Sequence, residues 1–155
     1  MNEIEKYLNP KLISFFKAED RDDAIRHLVQ LCKQKGKIEE IEPFLSKIQE
    51  REKIVSTGIG MSVAIPHAKL SVFEDFFICI GVLEKGINWH SLDGHTVRLV
   101  FLIGGPDNKQ SEYLKILSSL THLLKSESLR KKMLTTNSPA TMMKIFNAPR
   151  TQGEM

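Results

Sequence analysis

Apolar residues change their spacing several times along the chain, and each change marks a new element. Leu12 to Phe16 is a short apolar run of strand length, and Ala18-Glu19-Asp20 leads from it into a stretch carrying Ile25, Leu28, Val29 and Cys32. Spacings of three and four put those residues on one side of a 3.6-residue period, which predicts a helix of about four turns. Asp20 or Asp22 can accept hydrogen bonds from the free N–H groups of its first turn, and Gly36 can take the left-handed conformation beyond its last. Ile41, Leu45 and Ile48 predict a second helix, ending near Arg51, in which Pro43 is tolerable only in the first turn.

From Lys53 to Leu70 the helical spacing is lost. Ser56-Thr57-Gly58-Ile59-Gly60 reads as a loop, and Val63-Ala64-Ile65 as a short apolar piece stopped by Pro66, with His67 directly after it. Two strands follow, Phe76 to Leu83 and Val97 to Ile103, separated by Trp89 and the turn signal Asp93-Gly94. Both are apolar almost throughout, the mark of strands covered on two faces. Beyond Gly104-Gly105-Pro106-Asp107, the positions Tyr113, Leu117, Leu120 and Leu124 predict a long buried helix, and two shorter helices follow, the last capped by Ser138 with Pro139 in its first turn. This order predicts an α/β fold, a single mixed β-sheet flanked by helices on both faces, as one domain over residues 1–150 with a frayed tail at 151–155.

Composition narrows the class. A chain of 155 residues with 41% hydrophobic and 26% charged residues is long enough to bury one core and has the profile of a folded globular protein. Its formal charge of +3 implies no field strong enough to select nucleic acid, and the short basic run Arg130-Lys131-Lys132 reads as the solvated face of a helix. No apolar run approaches the roughly 20 residues that span a bilayer, so no direct membrane insertion is expected. The start Met1-Asn2-Glu3-Ile4-Glu5-Lys6 lacks the basic and apolar stretches of a signal peptide, and the expected location is cytoplasmic. Cys32 and Cys79 have neither a second cysteine nor a histidine at ligand spacing, and read as reduced core thiols.

The residues that promise chemistry lie between Glu52 and Ala68. A proline fixes the backbone before His67, and the small residues Gly58, Gly60, Ser62, Ala64 and Ala68 leave room for a macromolecule to approach an exposed imidazole. Arg51-Glu52, Ser56-Thr57-Gly58-Ile59-Gly60 and Ala64-Ile65-Pro66-His67 together resemble the active-site segment of the type 2, mannitol/fructose class of phosphotransferase-system enzyme IIA domains. Trp89-His90-Ser91-Leu92-Asp93-Gly94, the strand from Val97 and Pro106 follow in that family's order as well. With no B or C domain attached, the chain resembles the free-standing form, including the nitrogen-regulatory branch.

The resemblance implies that His67 accepts phosphate from the histidine phosphocarrier protein and passes it to a cysteine of a IIB domain, or presents it to a regulatory target. It implies no cofactor and no metal. A neutral imidazole, with an ordinary pKa of about 6.5, is nucleophilic enough for in-line phosphoryl transfer once its other nitrogen has an acceptor, such as a backbone carbonyl. Arg51 matches the family's phosphate-holding arginine; taken alone it would only complement a helix end. Thr57 can donate a hydroxyl to the phosphoryl group or simply make a turn. One departure stands out: Glu112-Tyr113-Leu114 replaces an acidic-His-Leu sequence, so Tyr113 is either a phosphoryl donor that cannot carry positive charge or a core residue of its helical stripe. His122, nine positions further along the helix and so about 13 Å away, cannot fill that place. His27, His90 and His95 read as solvated or structural. The competing expectation is a regulatory binding module on the same fold that takes no phosphate; a hydrolase is disfavoured because no nucleophile elbow or metal-ligand cluster is present.

Overall fold

The structure, a computed structural model, describes residues 4–147, so the tail expected to fray at 151–155 lies outside the described residues. Six strands form one sheet: β1 (Ile13–Phe16), β2 (Gly58–Gly60), β3 (Val63–Ala64), β4 (His67–Lys69), β5 (Phe77–Ile87) and β6 (Val97–Gly105). Their order is β1-β5-β6-β3-β2, with β4 also on β6. β5 and β6 are antiparallel, whereas β1 runs parallel to β5 and both β3 and β4 run parallel to β6, which makes the sheet mixed.

Helices α1 (Arg21–Gln34) and α2 (Ile41–Ile54) cover one face; α3 (Gln110–Leu124), α4 (Glu127–Thr135) and α5 (Pro139–Asn147) cover the other. Alternation along the central strands sends Ile78, Ile80, Leu99, Phe101 and Ile103 toward α3–α5, and Phe77, Cys79, Val100 and Leu102 toward α1 and α2. Two buried faces are why these strands read as unbroken apolar runs. Gly104 sits opposite Phe77, and a Cβ there would lie 2.4 Å from the Phe77 ring and 2.8 Å from that of Phe44, so its missing side chain lets the two aromatics close over the sheet.

Local signals held where they were strong. Asp20 caps α1 by accepting from the Asp23 N–H at 2.8 Å, Gly36 follows with φ +74°, and Ser138 accepts from the Thr141 N–H at 3.0 Å. Three expectations are corrected. Helix α2 runs to Ile54, past the expected end at Arg51. Strand β5 extends to Ile87 and β6 to Gly105. The expected loop at residues 56–60 contains β2, which pairs with β3, and the segment after it forms β3 and β4 because β6 offers a free edge: β3 pairs with Leu99–Val100 and β4 with Ile103–Gly105. Pro66, having no N–H, interrupts this line, yet its carbonyl still accepts from the Ile103 N–H at 2.9 Å. Among the described residues no helix is long and apolar enough to cross a membrane.

Candidate functional site

His67 opens β4, so it stands on the sheet rather than in a loop. Its Nδ1 lies 3.0 Å from the Ile65 carbonyl. A carbonyl can only accept, so Nδ1 carries the proton and Nε2 keeps its lone pair. The Ile65 N–H in turn donates to the Thr57 carbonyl at 3.0 Å, which ties the histidine's acceptor to the preceding segment. Burial pushes the His67 pKa below its ordinary value; the Ile65 carbonyl and Glu52 pull it up, and Arg51 and Lys69 push it further down. The imidazole is therefore neutral near pH 7. Ala68 points into the core beneath α1 and α2, so His67 and Lys69 emerge on the opposite face of the strand.

A cleft of 390 Å³ opens beside His67, lined by Lys47, Glu50, Arg51 and Ile54 of α2, by His67, Ala68 and Lys69 of β4, and by Asp107. Arg51 donates through Nη1 to the Val55 carbonyl at 2.8 Å, satisfying one acceptor at the end of α2; its remaining guanidinium N–H groups are donors a phosphate can use. Of the two expectations for Tyr113, the core placement is the one the structure shows. It is buried in the α3-side core against Phe76, and its ring centroid lies 5.5 Å from that of His67. Burial raises the Tyr113 pKa, with Arg51 acting the other way, so its hydroxyl stays a neutral donor. The Lys69 ammonium sits 4.3 Å from the Tyr113 ring centroid and donates to Gln110 Oε1.

Thr57 departs from its expected place. It is buried, and its hydroxyl donates to Glu52 Oε2, which occupies the one proton that a phosphoryl oxygen would need. Glu52 also accepts from the Thr57 N–H at 3.0 Å and from Trp89 Nε1 at 3.4 Å, and lies 3.6 Å from Arg21 Nη1. This buried carboxylate braces the start of the active segment, and reading the sequence missed it. The signal was present: Glu52 continues the buried stripe Ile41, Leu45, Ile48 at helical spacing, and a carboxylate on such a stripe needs partners. Between β2 and β3, Met61 and Ser62 take φ values of +59° and +62°, the left-handed pair that a two-residue hairpin requires, and the Asp93 carboxylate accepts from the Met61 N–H at 3.2 Å.

The other histidines stand apart. His27 stacks on Phe16 at 3.7 Å and contacts Ser14, and the His95 N–H donates to Asp93. His122 lies in the last turn of α3. A larger cleft of 560 Å³ between Gly36–Glu40 and Leu70–Asp75 contains neither His67 nor Arg51, so the chemistry of the side chains, not size, marks the site.

A half-buried histidine with its Nδ1 held by a backbone carbonyl shares a cleft with an arginine from the last turn of α2, on a mixed sheet covered by helices. Residues 6–148 match the family described as the phosphoenolpyruvate-dependent sugar phosphotransferase system, EIIA 2, and the chain belongs to that family. It is 32% identical over 130 residues to the PTS system fructose-specific EIIABC component of Bacillus subtilis, covering 84% of this chain and 20% of that protein. It is 33% identical over 100 residues to a nitrogen regulatory protein of Bradyrhizobium diazoefficiens, covering 64% of this chain and 65% of the relative. The chain thus spans a fifth of one relative's length and just under two thirds of the other's. The fold is shared with the nitrogen regulatory protein IIA-Ntr from Neisseria meningitidis, at TM-score 0.86 and 23% identity over 92% of this chain and 98% of that one. It is shared with IIA mannitol from Escherichia coli at TM-score 0.75 and 23% identity, over 89% and 97% respectively.

Proposed function

We propose that this protein is a phosphoryl carrier, with His67 Nε2 as the acceptor. The observation that carries the reading is the Nδ1 hydrogen bond to Ile65, which leaves Nε2 as the nucleophile at the cleft. In the forward step Nε2 attacks the phosphorus of a phosphohistidine on the histidine phosphocarrier protein; the donor's N–P bond breaks as the new one forms. Arg51 holds two phosphoryl oxygens, and the Tyr113 hydroxyl donates to a third. Thr57 acts at one remove, by fixing the carbonyl chain that holds His67. In the onward step a cysteine thiolate of a IIB domain takes the phosphoryl group, or a regulatory target reads it in place. Exposed Ile54 on the cleft, with exposed Val55, Ile59 and Met61 on the segment that follows it in the chain, supplies apolar surface that such a macromolecular partner would cover.

Tyr113 favours a second reading, a binding module that takes no phosphate, because it supplies no charge where a dianion would form. The two separate on intact mass after incubation with phosphoenolpyruvate, enzyme I and the histidine phosphocarrier protein. One phosphoryl adduct, absent from His67→Ala, is expected. An unmodified wild-type chain under conditions that load a control IIA domain would favour the binding module.

A further inference from the structure

We propose that Lys69 is the second cation of the phosphoryl site: its ammonium is parked on the Tyr113 ring face and moves onto the phosphoryl oxygens when His67 is loaded. This rests on His67 as the acceptor.

Position makes the case first. Lys69 follows His67 by two residues on β4 and so emerges on the same face, and both line the cleft that holds Arg51. Its ammonium stands over the same aromatic ring that His67 contacts, at 4.3 Å from the centroid, while the His67 and Tyr113 rings are 5.5 Å apart. Tyr113 therefore works as a platform between nucleophile and cation. Gln110, in the first turn of α3, takes one of the three ammonium N–H groups, which leaves two for phosphoryl oxygens.

Charge makes the case next. A phosphoryl group brings about two negative charges, and a buried neutral Tyr113 balances none of that. Arg51 balances one. Lys47 also lines the cleft, from α2, together with the acidic Glu50 and Asp107. Lys69 differs from Lys47 in sharing His67's strand and in having its ammonium held on the aromatic ring that His67 contacts. A cation held on a ring face and a neutral amide, rather than on a carboxylate, can leave without stranding an opposite charge.

The test loads His67 chemically with phosphoramidate, so that it needs no protein donor. Nε2 attacks phosphorus, the P–N bond to the ammonium nitrogen breaks, and ammonia leaves; Nδ1 keeps its proton, so the phosphorylated ring carries one positive charge on its own side of the P–N bond while the phosphoryl oxygens are left to Arg51 and Lys69. The second ionisation of the phosphoryl group is then followed by ³¹P NMR in wild type, Lys69→Met, Lys69→Arg and Lys47→Met. A cation favours the dianion and lowers that pKa, so Lys69→Met should raise it by about one unit, Lys69→Arg should restore it, and Lys47→Met should move it less. The equilibrium extent of loading by the phosphocarrier protein should fall about tenfold in Lys69→Met where the phosphoryl group is a dianion, one pKa unit being a tenfold change in equilibrium. A Lys69→Met titration that overlays wild type, or a shift as large in Lys47→Met, overturns the assignment and leaves the carrier reading intact. If phosphoramidate loads His67 but the protein donor does not, the carrier reading fails and the titration still decides Lys69. No adduct on His67 with either reagent overturns both.

Discussion

Glu52 is the place to strike the scaffold without touching the reacting atoms. Its carboxylate is almost wholly buried and serves the Thr57 N–H, the Thr57 hydroxyl and the Trp89 indole, with Arg21 at 3.6 Å. Glu52→Gln keeps the shape but turns one oxygen into an NH2 that must face a donor. If the NH2 takes the Oε2 side, the Thr57 hydroxyl can rotate to accept and Trp89 Nε1 can lean on Thr57 Oγ1 at 3.2 Å. The net loss is then one charge-assisted hydrogen bond and the ion pair. Hydrogen bonds to charged groups contribute roughly 1.5–3 kcal/mol. Losing a buried ion pair can cost about 3–5 kcal/mol, but Arg21 keeps some solvent and discounts that, so we expect about 2 kcal/mol. With a urea slope of about 2 kcal/mol/M, the unfolding midpoint should fall by about 1 M. Thr57→Val should cost about 1–2 kcal/mol, since it leaves Glu52 Oε2 with only the long Trp89 Nε1 contact at 3.4 Å. The double variant should lose less than the sum, by at least about 0.5 kcal/mol, because both changes break the same bonds. A Glu52→Gln loss under about 0.5 kcal/mol, or singles that add within about 0.3 kcal/mol, would refute the claim that this network braces the segment.

Further outcomes follow from the same geometry. His67 has a depressed pKa in the folded chain, so the unfolded chain binds more protons in the window just below about 6.5. His67 should thus stabilise the fold less as pH falls through that window, and its NMR titration should have a midpoint under about 6.5; a midpoint at or above it contradicts the burial argument. Gly104→Ala drives a methyl into the Phe77 and Phe44 rings and should cost about 2 kcal/mol, or roughly 5 °C in Tm; an unchanged Tm would mean the aromatics yield freely. The Cys79 thiol has its pKa raised well above the ordinary value, first by its contact with Cys32 and then by burial, and Cys32 is equally buried. Neither thiol should react with an aromatic disulfide reagent until denaturant is added; rapid labelling of the native chain would show that α1 opens from the sheet.

Much of this protein was legible in its residues because the signals were local. The stripe Ile25, Leu28, Val29, Cys32 and its Asp20 and Gly36 ends define α1 without reference to anything distant, and two unbroken apolar strands imply a sheet covered on both sides. Pro66-His67 and its flanking pattern pointed to the candidate site and to the family, because a proline-fixed histidine in that pattern is a local signal. What the residues did not disclose depends on contacts across the chain. The segment from Ser56 to Leu70, of which only residues 56–60 read as loop, holds three short strands because β6 presents an edge to β3 and β4 and β3 pairs with β2. Which nitrogen of His67 is free follows from where Ile65's carbonyl lands once that edge is paired. Thr57 could have faced the phosphate, and it turned inward because α2 brings Glu52 beneath it. Lys69 gave no sign of itself in the sequence, since its place beside His67 exists only when α3 lays Tyr113 and Gln110 against β4. Local periodicity and capping determine elements through neighbours a few residues apart, whereas tautomer, donor direction and charge placement are set by partners dozens of residues away, and only the packed fold brings them within a hydrogen bond.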